Sequence, residues 1–244
     1  MDPHDQQRDR SYDAGDGTSP TVPTGVTESE EATPTTEATG TAEVAGSTGS
    51  TEAEGFDHEK AREGARLLLE AVGRDPDARG VSDTWTRRVP AMFETLTEGR
   101  REAAKPTMRT FEAETDGLVI KTGIPLYSMC EHHLLPFYGV AHVAYKPEAS
   151  MVGLSKLVRY VRWRSRRLTT QEALTSGIAT GLADELEAEG VVVEVTATHM
   201  CEAMRGVETA TATTTHESVG ELSSGDRERF RESVRDSDWT PDVF

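Results

Sequence analysis

The chain has little cysteine, little lysine, few aromatics and no long apolar run. Only Cys130 and Cys201 carry thiols in 244 residues. Two cysteines cannot build a disulfide framework, and near histidines they point to a metal or to catalysis before a disulfide. No apolar stretch approaches the ~20 residues that a membrane-spanning helix requires. The N-terminus has no apolar signal-peptide core, so no membrane association is expected and the expected location is cytoplasmic. Five lysines stand beside 21 arginines, and 43 acidic residues outnumber 26 basic ones, for a net charge of −17 and a pI near 4.8. Nucleic-acid binding without sequence preference needs a basic footprint, so this balance argues against it. High acid with low lysine resembles proteins adapted to strong salt. There is no GxGxxG and no P-loop, so the common nucleotide signatures are absent.

Residues 1–55 lack even more. No aromatic occurs between Tyr12 and Phe56, and the only large aliphatics there are isolated valines. Thr, Ser, Gly, Pro, Ala and Glu dominate, with 12 acidic and 2 basic residues. Such a segment cannot bury enough apolar surface to offset its conformational entropy, and reads as a disordered acidic tail. Residues 56–244 are enough for one compact domain, with N-terminal helices over 56–104 and a core over 105–225.

That remainder is patterned. "FDHEKAREGARLLLEAVG" reads as a helix capped by Asp57, with Ala61, Ala65, Leu68, Leu69 and Val72 on one face and Gly73 as its stop. "SDTWTRRVPAMFETLTEG" suggests a second helix that Pro90 delays or kinks. Strand character follows up to Cys130, with a turn signal at Asp116-Gly117, and again in "YGVAHVAYKP". Two helices come next, over "VGLSKLVRYVRWRSR" and "TTQEALTSGIATGLADELEAEG", then strands in "VVVEVTATHMC" and "GVETATATTTHES" and a short charged helix or tail. Strand pairs joined by short connections favour antiparallel hairpins with helices on one face, an α+β fold.

The chemistry concentrates in "SMCEHHLLPF", Ser128–Phe137. Cys130 and His133 lie three apart in a turn, and Cys201 follows a later strand. Two sulfurs and one nitrogen suit zinc, and three protein ligands leave a position for water. His132 and His199 lie beside these ligands, and imidazole is the side chain best suited to proton transfer near neutral pH. From spacing alone three readings stay open: a catalytic zinc, a structural zinc with His132 or His199 as fourth ligand, and no metal.

"SMCEHHLLPFYGVAHVAYKP", "GLSKLVRYV", "TTQEALT" and "THMCEAMRGVETATATTTH" occur in that order. Together they resemble the GTP cyclohydrolase I family over about Phe111 to Leu222. The resemblance implies one zinc per subunit on Cys130, His133 and Cys201. His132 and His199 would be the proton-handling residues. Glu172, with Gln171 beside it, would recognise guanine. Ser155, Lys156, Arg159 and Arg205 would clamp the triphosphate. Arg88 aligns with a family arginine, although "TWTRRVPAM" replaces the usual Thr-Pro-x-Arg-Val. The family's "QERLT" reads "QEALT" here, with Ala173. The implied substrate is GTP. The implied reaction opens the ring at C8, releases formate and recyclises to 7,8-dihydroneopterin triphosphate, the first step of pterin and folate-type biosynthesis. The implied architecture is the tunnelling fold: a four-stranded antiparallel sheet with helices on one face, assembling into a homo-oligomeric barrel. That barrel would be a decamer with active sites at subunit interfaces.

Overall fold

The computed structural model describes residues 55–237. The tail expected over 1–55 therefore lies outside the described residues, apart from Gly55. Helix α1, His58–Ala71, starts at Asp57, whose carboxylate accepts the Lys60 N–H at 3.0 Å. It stops before Gly73, which takes φ +75°, a conformation glycine adopts without penalty. The face expected to be apolar is open: Leu68 is 69% and Val72 79% exposed, and only Ala65 is buried. Thr84–Arg88 forms a π-helical turn, and α2, Val89–Leu96, begins with Pro90 in its first turn. The chain is helical from Ser82 onward, so the proline delays no start; it sits inside a continuing helix directly after the π-helical turn, where the i→i−4 ladder is already interrupted.

Strand β1, Thr110–Glu112, pairs antiparallel with β4, Ser150–Val152, in a small sheet. It makes no hairpin with β2 across Asp116-Gly117. The main sheet comprises β2 (Val119–Cys130), β3 (Pro136–Lys146), β5 (Leu168–Thr169), β6 (Gly190–His199) and β7 (Ala212–Gly220), ordered β5-β2-β3-β6-β7. The expected four antiparallel strands are present. The fifth, β5, joins β2 in parallel through Met129↔Leu168 and Cys130↔Thr169. Two residues between a helix end and a helix cap carry no period-2 signal, so composition gave no sign of it.

Helices α3, Leu154–Ser165, and α4, Gln171–Leu186, cover one face of the sheet. Leu157, Val161, Leu174, Ile178, Leu182 and Leu186 pack there against Ile124, Leu126, Phe137, Val143, Val191 and Val193, all buried. Burial of each such side chain stabilises by about 1.5–3 kcal/mol. Helices are not confined to this face. The C-terminal α6, Ser224–Arg235, places Phe230 with Ala144, Val192 and Leu222 in a separate cluster. Ala144 alternates with the α3/α4-facing Val143 and Tyr145, so α6 lies on the opposite side of the sheet. The mixed helix–strand class holds, with this correction to the helix placement.

Gly139 allows β3 and β6 to approach. A Cβ there would stand 2.0 Å from the Thr196 carbonyl oxygen. Among the described residues no helix is long and apolar enough to cross a membrane.

Candidate metal centre and active site

The β2–β3 connection builds the centre. Cys130 ends β2, and its N–H donates to the Leu135 carbonyl at 2.8 Å while its own carbonyl accepts the Leu134 N–H at 2.9 Å. This tight return requires Leu134 at φ 54°, a left-handed conformation that costs a leucine of order 1–3 kcal/mol. The return folds His133 back, with Nδ1 3.7 Å from Cys130 Sγ. Cys201 arrives from β6 on α5, Met200–Ala203. The register Phe137↔His199 brings the end of β6 to the start of β3, beside this turn.

The donor atoms of Cys130, His133 and Cys201 all lie within 4.8 Å of one another, a group that could hold a metal ion. A tetrahedral zinc, with bonds of about 2.3 Å to sulfur and about 2.0 Å to nitrogen, sets those ligands roughly 3.6 Å apart. The observed Cys130–His133 spacing matches that separation. Burial pushes the Cys201 thiol up, and Cys130 beside it pushes the same way. Two adjacent thiolates need a cation to compensate them, and a divalent metal supplies it. Among the described residues no fourth donor joins the group.

His199 stacks on buried Phe137, with centroids 4.7 Å apart and planes 13° from parallel. Its Nε2 lies 2.8 Å from Gln171 Oε1. Burial lowers its pKa, while Glu172 and Glu202 act the other way. His132 is exposed on the turn, its ring 6.3 Å from that of His133 and perpendicular to it, and its Nε2 is 3.9 Å from Glu131.

Gln171 and Glu172 open α4, where Thr170 accepts the Ala173 N–H as the N-cap. The two side chains part company. Glu172 is exposed, whereas Gln171 is only 1% exposed. The Gln171 amide is spent inside the protein, so its side chain is not offered to solvent beside Glu172. The sequence could not separate these neighbours, because adjacent helix positions point about 100° apart and only packing decides which one is inside.

The remaining residues are dispersed. Exposed Arg205 follows α5 and so shares the metal end of the sheet. Ser155, Lys156 and Arg159 occupy the first turns of α3. That helix begins beside Tyr145, whose hydroxyl accepts the Val152 N–H at 3.1 Å, and Tyr145 pairs with Val119 at the far end of β2. It ends just before β5, which pairs with Met129–Cys130. Along α3, Lys156 therefore lies about 14 Å, and Arg159 about 9 Å, from Ser165 at the helix end that leads to β5 and Cys130. Arg88 is exposed on the π-helical turn, with Asp83 at 3.8 Å.

Comparison with known proteins agrees with this geometry. The family model for GTP cyclohydrolase I matches residues 61–235. A GTP cyclohydrolase 1 of Clostridium perfringens is 44% identical over 165 residues, covering 66% of this chain and 89% of the relative. Those of Carboxydothermus hydrogenoformans and Hyperthermus butylicus are 48% and 47% identical over 153 and 152 residues. Each covers 62% of this chain, with 79% and 77% of the relatives covered. A solved structure, the archaeosine synthase QueF-Like in the apo form, covers 45% of this chain and all of its own at 14% identity, with a TM-score of 0.38. That likeness is too slight to bear on fold or function. With a family model spanning most of its length and relatives at nearly half identity, this chain belongs to the GTP cyclohydrolase I family.

Proposed function

We propose that this chain converts GTP to 7,8-dihydroneopterin triphosphate, opening the guanine ring at C8, releasing that carbon as formate and reclosing the ring with ribose carbons. The observation that carries this reading is the three-donor group beside a fixed histidine. A closed structural site would engage four protein ligands; three leave one position for chemistry.

Cys130, His133 and Cys201 would hold one zinc ion. When bound, zinc polarises its remaining ligand and brings the pKa of a water there close to neutrality. His199, held rigidly against Phe137, exchanges protons with the substrate. His132, exposed on the same turn, is the second proton carrier. The Glu172 carboxylate accepts hydrogen bonds from the guanine N1–H and 2-amino group together. Ser155, Lys156, Arg159 and Arg205 bind the triphosphate, joined by Arg88. Residues 56–244 form the catalytic unit, and the tail over 1–55 is dispensable for turnover.

The separation of clamp from metal supports shared sites. The α3 clamp starts at the end of the helix away from the metal group, with Lys156 about 14 Å from Ser165. A substrate whose base lies at one metal group takes its α3 clamp from a neighbouring chain in this reading. The sheet has free edges at β7 and β5, which ring closure would pair. The tunnelling fold, closed into a barrel and doubled into a decamer, meets both requirements.

Incubation of the purified chain with GTP tests the reaction, with formate and the pterin fluorescence of the oxidised product as readouts. Both products are expected in equal amounts. Tight GTP binding with neither product would make the chain a nucleotide-binding module.

A further inference from the structure

The surroundings of Gln171 carry more than its burial. Its Nε2 donates to the carbonyls of Val195 and Thr213, each at 2.9 Å, and lies 3.1 Å from Thr215 Oγ1. Three acceptors around one end of the amide fix which end is nitrogen. The other end is then the carbonyl oxygen, and it lies 2.8 Å from His199 Nε2. A carbonyl only accepts, so His199 Nε2 carries a proton. In neutral imidazole the lone pair then sits on Nδ1, which has no hydrogen-bond partner among the described residues.

The lock extends one layer further. Thr215 Oγ1 stands 2.6 Å from Thr175 Oγ1, and the Thr175 hydroxyl donates to the Gln171 backbone carbonyl at 2.8 Å. Since Thr175 gives its proton to that carbonyl, Thr215 is the donor between the two hydroxyls. Thr215 Oγ1 thereby turns a lone pair toward Gln171 Nε2, whose two protons are shared among three acceptors, the Val195 and Thr213 carbonyls and this hydroxyl. Elements α4, β6 and β7 all contribute. A buried network satisfied in this way is rigid.

We infer that Gln171, locked by Thr215 and Thr175, is a positioning residue that holds His199 in the Nε2–H tautomer and presents Nδ1 to the substrate. The same bond occupies Nε2 and keeps it away from the metal group. This assigns Gln171 a role other than guanine contact, and gives two threonines of β7 and α4 a part in turnover. The inference rests on the reading of His199 as a proton carrier.

Three variants test it: Gln171→Leu, Thr215→Val and Thr215→Ser. Gln171→Leu keeps the volume and removes the acceptor. Its kcat should fall about 10–100-fold, the usual cost of losing an orienting partner, with KM for GTP and zinc per chain unchanged. Thr215→Val removes one hydroxyl without changing shape. Its kcat should fall several-fold, and Thr215→Ser should restore it. Should Gln171→Leu fail to fold, the Thr215 pair still decides. A raised KM with kcat intact in Gln171→Leu would overturn the proposal in favour of substrate contact. Wild-type kcat in Thr215→Val would overturn the lock.

Solid-state ¹⁵N spectra of the histidine-labelled protein, with His199→Ala for assignment, read the tautomer without any turnover. A protonated Nε2 with a bare Nδ1 is expected in the wild type, and a mixture in Thr215→Val. The reverse tautomer in the wild type overturns the inference. Absence of pterin from a wild type that shows the expected tautomer would sink the proposed reaction instead.

Discussion

His199 Nε2 and Gln171 Oε1 lie 2.8 Å apart, across the join between the end of β6 and the first turn of α4. The residue proposed to hand protons to the substrate is thus held by the helix that also carries Glu172, the proposed guanine contact. In that reading one helix start organises recognition and proton transfer together, and His199 stays outside the three-donor group.

This division of labour predicts opposite phenotypes for neighbours in sequence. His199→Ala should keep one zinc per chain and lose turnover by about 10²–10⁴-fold, the usual range for a proton-transfer group. Metal analysis beside a turnover assay checks it. Loss of zinc from this variant would make His199 a ligand.

Cys130→Ser and Cys201→Ser should each lose both metal and activity, because a three-ligand site cannot spare a thiolate. Full activity in a zinc-free preparation of either would remove the ligand set.

Shared sites predict complementation. A Cys130→Ser chain lacks the metal, and a Lys156→Ala, Arg159→Ala chain lacks the α3 clamp. Each alone should be inactive. Refolded together in equal amounts, they should recover about a quarter of wild-type activity, the share of interfaces that receive both intact halves. No recovery in mixed oligomers shown to contain both chains would place clamp and metal in the same chain.

Docking of α6 should depend on pH through Asp226. Its carboxylate accepts the Ser223 hydroxyl at 2.6 Å and the Ser223 N–H at 3.2 Å, while Ser223 Oγ accepts the Asp226 N–H at 3.1 Å. The Ser223 hydroxyl, before the backbone bond, holds this carboxyl below the ordinary range. A depressed folded pKa means that its stabilisation is present above the unfolded value, about 3.9. It is lost as pH falls through the folded value. Ser223→Ala should cost about 1 kcal/mol at neutral pH. The melting-temperature gap between Asp226→Asn and wild type should narrow as pH falls below the unfolded carboxylate value. A gap independent of pH would mean that the carboxylate charge contributes nothing.

Close approach at Gly139 sets a stability limit. A Cβ there meets two backbone groups of β6, the Thr196 oxygen at 2.0 Å and Ala197 Cα at 2.6 Å, and neither can rotate away. Gly139→Ala should cost about 3 kcal/mol or more, read by denaturant unfolding. A wild-type midpoint would show that β3 and β6 part without cost.

The metal turn was legible because its chemistry is local. Cys130 and His133 lie three apart on a five-residue return, and only Cys201 had to be brought from afar. The long elements were legible for a similar reason: α4 repeats leucine or isoleucine every four residues, and β3 is a β-rich run bounded by prolines, although it is buried on both faces from Gly139 to Tyr145 and shows no alternation. What escaped depends on partners distant in sequence. The two residues of β5 are a strand only because Met129 and Cys130 accept them in parallel. The position of α6 is decided by Phe230 finding Ala144 and Val192. Gln171 and Thr215, 44 residues apart, meet only once α4 is laid across β7. A threonine-rich strand gave the one hint of that network, and nothing in its spacing said which hydroxyl would turn inward. The apolar face of α1 was legible too, but Leu68 and Val72 on it are exposed in the single chain.

The most direct test of the account follows formate and pterin release from GTP, in high salt, before and after zinc is stripped by a chelator and then restored. The account predicts equal release of both products, loss of both on chelation, and recovery with about one zinc per chain. Undiminished release from protein shown to be free of metal would contradict it.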